Sequence, residues 1–480
     1  MNSDVFKYLL TFLFVAATMW LSYIGMRKTK CLRGFSVGNR DMSPVLVGIT
    51  MAASIASTAT FVINPGFVYT HGLSAYLHYG VAALFGVITA FVLLTKGFRQ
   101  IGETTGSITI PDWIFNRYKS RSFSLFFAGI NLLSITFVVL ILVGCSLIMS
   151  HLFPISQKVA LISTLLFVFS YVLMGGTYAH AYTNTLQGLM MLFISAFLFL
   201  HGLKYFNGGF FQSLLSVSTD WASVYNKSSA LYYDFFSVFL SSFIITFALM
   251  LQPHILTKVL YLKSDKDIKK FLITTFIVGG IFGLILFVGF YAKLAGLNVS
   301  QQDAVVTKYI FHEFSGSTWG PYFLVFLSLT LLAAGMSTLD GILVALSSMV
   351  VNDIYLPISK QQDHQKALMV SRWVLIVIGL LSLAIAWNPP QLVGLFAQKG
   401  VYAIAAASLS PILFGVLVQK PLPTRIMFLS SLIGFFAHLI LNIYGGITNP
   451  SVSGSYAITL SVLPPLFYLF GRKKNTLHNI

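Results

Sequence analysis

Apolar stretches of about 20 residues, the length a bilayer-spanning helix needs, recur along the chain and alternate with short polar connections. The pattern predicts thirteen helices: Val5–Tyr23, Ser43–Tyr69, Leu73–Leu94, Ser122–Met149, Val159–Met174, Asn184–Leu203, Leu231–Leu251, Phe271–Ala292, Pro321–Val350, Leu368–Trp387, Leu392–Val418, Ile426–Tyr444 and Tyr456–Phe470. Two of them are unusually long and are expected to continue out of the bilayer. The first apolar run is longer than the core of a secretory signal, and its basic flank follows it. It is expected to be a retained helix.

Composition agrees with the pattern. Of 480 residues, 56% are hydrophobic and 9% charged, whereas a soluble domain carries roughly 25% charged residues. An all-α polytopic membrane protein follows, and no polar stretch is long enough to be a soluble domain. The net charge of +17 does not indicate a nucleic-acid partner, because basic residues collect in the cytoplasmic loops of membrane proteins. With the N-terminus outside, 23 of the 30 Lys and Arg fall in the alternate connections expected to be cytoplasmic. That asymmetry supports thirteen helices with a cytoplasmic C-terminus; the expected location is a plasma membrane, the inner membrane of a bacterium. Cys31 and Cys145 lie apart in the pattern and form neither an expected disulfide nor a metal site.

Nearly all acids sort to helix ends or loops. Asp340, in "AAGMSTLDGILVALSS", lies deep in the ninth helix, where a charge is expensive and a functional role is the default reading. The second helix carries "AASIASTAT" before Pro65. Such small and hydroxyl residues suit either close helix packing or an unwound, ion-coordinating break. The seventh ends in "FALMLQPHILTK", where Pro253, flanked by Gln252 and His254, marks a helix end or a polar interruption. The chain lacks a Walker loop, a dinucleotide fingerprint and zinc-ligand spacing. No enzymatic activity and no obligate protein partner are expected.

The segments "SIASTATFVINPGFVYTHGL", "YTNTLQGLMM", "QPHILTKVLYLKSDKDIKK" and "GMSTLDGILVALSSMVVNDIY" resemble the sodium/solute symporter family over nearly the whole chain. "AWNPPQLVGLF" is similar to the pantothenate carriers and "QPHI" to the proline carriers. The resemblance implies a leucine-transporter-like five-plus-five inverted repeat, with helices two to six (about 43–203) and seven to eleven (about 231–418) as the repeats. The helices at 5–23, 426–444 and 456–470 would be peripheral. It implies sodium-coupled import of a small organic solute by alternating access. A carboxylate such as pantothenate or a monocarboxylate is one expectation, a proline-like amino acid or a sugar another. An uncoupled channel or sensor on the same fold remains a further alternative.

By the resemblance, the principal sodium site falls on the carbonyls of Ala53, Ala56 and Ala334 and the hydroxyls of Ser337 and Thr338. The competing reading of the hydroxyls is bonding back to carbonyls one turn earlier. Asn184 stands where many relatives carry an acid, and Asp340 lies across the site. Three readings of Asp340 stay open: a second cation site with Asn184, for sodium or a proton; a structural hydrogen bond to Asn184 or a hydroxyl; and pairing with Lys399. Substrate contacts are expected from Ser57, Thr60, Gln252, Gln398 and Lys399, the last as a carboxylate counter-ion or as a snorkelling side chain.

Overall fold

In a computed structural model the described residues are 3–360, 363–390, 393–447 and 449–477. Among them, ten helices are long and apolar enough to cross a membrane, and two bent pairs qualify when each is taken together. The elements are α1 (Ser3–Lys28), α2 (Pro44–Ile55), α3 (Ala59–His71), α4 (Leu73–Thr105), α5 (Arg121–Leu152), α6 (Gln157–Phe206), α7 (Phe236–Leu249), α8 (Pro253–Tyr261), α9 (Asp265–Leu294), α10 (Gly320–Ser359), α11 (Gln365–Ala386), α12 (Phe396–Leu417), α13 (Thr424–Ile443) and α14 (Pro450–Gly471). In a bilayer only structures that satisfy every backbone group internally are viable, which the helices do. The predicted start of the eleventh helix, Leu392, lies outside the described residues.

The helix count agrees with the hydrophobic pattern once the breaks are resolved. α2 and α3 are one span bent by 59°, and α7 and α8 one span bent by 66°. The fifth and sixth predicted helices run together as α6 and part only at Gly176, with φ 51° and ψ −126°. Counting each bent pair once and dividing α6 there makes thirteen segments. Gly176 tolerates the positive φ, and a Cβ on it would collide with the ring and carbonyl of Phe35. The expected loop "GTYAH" is therefore not a loop: the helix restarts at once and buries His180.

α1 packs along α6, and α12, α13 and α14 pack on one another. α10, the most central long helix, touches α2, α5, α6, α8 and α11 and is buried over most of its length. Its neighbours turn large apolar side chains outward, among them Phe12, Trp20, Phe193, Trp373, Leu380 and Phe467, as a lipid-facing surface requires.

Two sequence expectations are corrected here. Lys258 is not in a connection. Pro253 ends α7 but fits the first turn of a new helix, where no backbone donor is needed, so α8 carries Lys258 inward to complete burial. Asp353 is not a loop acid either; its carboxylate is 1% exposed and accepts a hydrogen bond from Thr109 Oγ1 at 2.6 Å. The seventh helix also begins later than expected, at Phe236, because Leu231–Asp234 folds as a capped turn whose Leu231 carbonyl accepts from Asn449 Nδ2 at 2.8 Å.

Candidate functional site

α2 stops at Ile55. Ala56 has φ −82° and ψ 80°, far from the helical ψ of about −42°, so its carbonyl turns out of the helix ladder. Ser57 Oγ caps the restart by accepting from Ala59 N at 3.2 Å. A π-helical turn over Ala59–Ile63 then leads to Pro65 in the first turn of the following α-helix. Such turns frequently mark functional sites. The break faces α10. Ser337 Oγ is 2.9 Å from the Ala53 carbonyl and 2.8 Å from the Ala334 carbonyl. Thr338 Oγ1 donates to the Ser54 carbonyl at 3.2 Å. Two hydroxyls and three carbonyls thus converge in a buried spot with no formal charge on any of them. This is an oxygen set suited to a hard monovalent cation. Ser337 makes the back-bond to Ala334 and the cross-helix contact to Ala53, so both sequence readings of its hydroxyl describe part of its surroundings.

Asn184 supports this spot. Its Nδ2 donates to Ser54 Oγ at 3.1 Å and to the Ser337 carbonyl at 3.0 Å. It does not meet Asp340. Asp340 is fully buried and accepts from His180 Nδ1 at 2.8 Å and from Tyr171 Oη at 3.1 Å. Of the two structural partners expected for Asp340, a hydroxyl is present, that of Tyr171, and Asn184 is not, for reasons of register: Asn184 lies one helical turn beyond His180 on α6 and bonds one turn earlier on α10. The expected pairing with Lys399 is also corrected. Lys399 is exposed on α12, while Lys258 of α8 acts on Asp340 electrostatically from within the core.

The break forms one wall of a cavity of about 1200 Å³. Ala56, Ser57, Thr58 and Thr60 line it, as do Gln252, His254 and Gln398, while Lys399 does not. Gln252 is the hinge residue between α7 and α8, extended at φ −62° and ψ 147°, so the interruption falls at the "LQP" step. Its Oε1 has no protein partner. Thr58 Oγ1 is likewise buried without one, close against Gly335, where a Cβ would stand 2.7 Å from it. The cavity widens past Tyr79, Tyr232 and Asn449 to the exposed residues His151, Gln301 and Lys308.

The opposite end is closed. Arg99 is 3% exposed, pairs with Asp265 and with Glu103 at 2.9 Å, and donates to the Lys263 carbonyl at 2.9 Å. Arg40 Nη2 reaches the carbonyls of Gly102 and Ser107, each at 2.8 Å. Met42 N donates to the Tyr261 carbonyl at 3.2 Å, tying the start of α2 to the end of α8. Nearby, burial raises the Asp112 carboxyl above its ordinary range against hydrogen bonds from Ile108 N–H and from Asn352 and Asn116.

Tyr171, His180, Lys258 and Thr58 were not singled out as site residues from the sequence. Lys258 and His180 sat in stretches expected to be loops. A basic residue five positions after a proline, in a segment that otherwise stays apolar, was the available signal for Lys258.

Residues 35–434 match the family model described as the sodium:solute symporter family. A sodium/pantothenate symporter of Haemophilus influenzae is 27% identical over 426 residues, which span 86% of this chain and 84% of that protein. A sodium/proline symporter of Staphylococcus aureus is 25% identical over 441 residues, 86% of this chain and 81% of its own. Among solved structures, a Na+-coupled sialic acid symporter in a substrate-bound outward-open state superposes with a TM-score of 0.79 at 18% identity, covering 96% of each chain. MhsT in complex with L-phenylalanine superposes at 0.56 and 13% identity, over 89% of this chain and 98% of its own. These two likenesses establish the leucine-transporter-like fold.

Proposed function

The chain belongs to the sodium:solute symporter family, and from that premise we propose that it imports a small polar organic solute by alternating access, with one sodium ion bound where α2 breaks against α10. The ligands are the carbonyls of Ala53 and Ala334, which Ser337 approaches, the carbonyl of Ala56, which the break frees, and the hydroxyls of Ser337 and Thr338, the Ser54 carbonyl serving to hold Thr338 in place. The observation that carries the reading is the approach of Ser337 and Thr338 to the backbone of Ala53 and Ser54 beside a large cavity that begins at the same break. Sodium binding there holds α2 against α10 and completes the cavity wall, so ion and solute stabilise the same arrangement. That shared arrangement is the thermodynamic content of coupling.

The solute rests against Ser57 and Thr60 on the break, Gln252 on the hinge of α7 and α8, and Gln398 on α12. Lys399 is withdrawn from this set, since it does not line the cavity. Among the described lining residues Lys308 is the one with a full formal charge, and it is exposed. A carboxylate substrate would therefore be met by hydroxyls, amides and the nearby sodium charge, not by a buried lysine. Pantothenate and proline are the first candidates because the relatives named for them match along most of the chain. The charge asymmetry of the connections supports an outside N-terminus and a cytoplasmic C-terminus. On that topology the cavity opens outward and the Arg99–Asp265 cluster closes the cytoplasmic side.

Purified protein in proteoliposomes, given an inward sodium gradient and radiolabelled pantothenate, proline, short monocarboxylates or sugars in turn, tests this. One of these accumulates above equilibrium, and accumulation ends when the gradient is dissipated. Equilibration without accumulation would instead favour an uncoupled pore on the same fold.

A further inference from the structure

Asp340 and Lys258 are both fully buried. A buried charge has to be compensated, because its desolvation is not repaid otherwise. The Lys258 ammonium donates to the carbonyl of His254 one turn earlier, which satisfies one hydrogen but no charge, and the carboxylate that acts on it is Asp340. The two are not in direct contact. His180 stands between them. Its Nδ1 is 2.8 Å from Asp340 Oδ1, and a carboxylate accepts, so Nδ1 carries the hydrogen and Nε2 keeps a lone pair. That lone pair has no hydrogen-bond partner. It and the Lys258 Nζ converge over Gly341, from whose Cβ position they would lie 3.3 and 3.5 Å. Gly341, which has no side chain, thus leaves room for the imidazole and the lysine nitrogen to stand side by side near the carboxylate.

The shell around Asp340 consists of donors. Tyr171 gives an O–H and His180 an N–H to the two carboxylate oxygens, and the Lys258 nitrogen stands nearby. A sodium ion needs free oxygen lone pairs and an uncompensated negative field, whereas here each carboxylate oxygen already accepts from a donor and a basic side chain stands beside them. No group of three or more His, Cys, Asp or Glu positioned to hold a metal ion occurs among the described residues. The contrast with the break is chemical: there two hydroxyls and three carbonyls converge without a resident cation.

We infer that Lys258 is the built-in cation of the Asp340 site, with His180 beside both, and that it excludes a second sodium ion so that the protein binds one sodium per chain. The inference rests on the sodium site proposed above and concerns only how many ions accompany it. It accounts for a carboxylate beside the sodium site whose function is not to bind sodium. Lys258 also makes the α7–α8 pair, and not α6, the source of the charge opposite α10.

Equilibrium binding of radioactive sodium to the purified full-length protein, at one fixed neutral pH, reads this directly. Wild type saturates at one sodium per chain with a Hill coefficient of about 1, as a single site requires. Lys258→Arg, which keeps the charge, also binds one. Lys258→Met, which leaves Asp340 uncompensated, takes up a second sodium, and retention of the first serves as its check of folding. Two sodium ions bound by wild type overturn the inference while leaving sodium symport intact, and a folded Lys258→Met that still binds only one overturns it too. Should Lys258→Met not fold, the wild-type count decides alone. No sodium bound by wild type at any concentration overturns the parent reading, and the inference with it.

Discussion

Ser337 and Thr338 are small residues whose roles depend on what stands opposite. In a lone helix each hydroxyl would bond back to its own turn, and Ser337 does reach Ala334. The broken end of α2 supplies the second set of oxygens. Removing one hydroxyl should therefore cost more than a helix back-bond. For Ser337→Ala and Thr338→Ala the expected loss is about 1–2 kcal/mol, the scale of a buried hydrogen bond or ion contact. That is roughly a five- to thirtyfold rise in the sodium concentration for half-maximal uptake. Equal sodium dependence in both variants and wild type would place the ion elsewhere. Lys399→Gln is expected to leave uptake of the accumulated solute within about twofold of wild type, since an exposed group off the cavity contributes little. A selective loss for a carboxylate solute would return Lys399 to the site.

Among the helices, departures from ideal geometry do more than the regular turns. Gly176 divides α6, and its positive φ presses the chain against Phe35. Gly106 also has positive φ, at 75°, but a Cβ there would meet nothing within 4 Å. Gly106→Ala should cost about 1 kcal/mol of backbone strain. Gly176→Ala adds a steric collision and should cost at least about 2–3 kcal/mol. Thermal unfolding in detergent should show the ordering, with the Gly176 variant melting several degrees below the Gly106 variant; equal melting would mean that Phe35 moves aside freely. Legibility at this scale followed the same division. Twenty-residue apolar windows revealed the spans, and "AASIASTAT" and "QPH" marked the two breaks. The boundaries around Gly176 and Pro253 misled, because polar letters suggested loops where the chain turns a corner and stays helical. The misreading left Lys258 and His180 outside the expected core.

At the scale of the whole molecule, the cavity opens at one end of the α2–α3 span and an ionic cluster seals the other. Arg99 is the buried partner of that cluster, and Asp265 is more than a third exposed, so solvent screening weakens the pair and it acts as a latch more than as a brace. Arg99→Gln should shift the population toward a cytoplasm-open arrangement. A cysteine placed at Ser57, in a background with Cys31 and Cys145 replaced, should then react more slowly with an impermeant maleimide from outside than in the same background with Arg99. An unchanged rate would show that the Arg40 and Met42 contacts hold the closed end without it.

By itself the sequence determined what depends on composition and local period: a membrane protein of about thirteen helices, the family, the two interruptions and the Ser337–Thr338 pair facing a break. These follow from short-range rules, because an apolar helix length and a hydroxyl pair are visible wherever the chain goes. It also pointed to Asp340 as the costly residue. What neutralises Asp340 was decided only by tertiary structure. His180 lies 160 positions earlier and Lys258 enters from a separate broken helix, and Asn184 and Lys399, equally plausible by position, turn elsewhere. Electrostatic partners in a low-dielectric core are chosen by packing and register across helices. A one-turn offset between α6 and α10 gave Asn184 to Ser54 and the Ser337 carbonyl and His180 to the carboxylate.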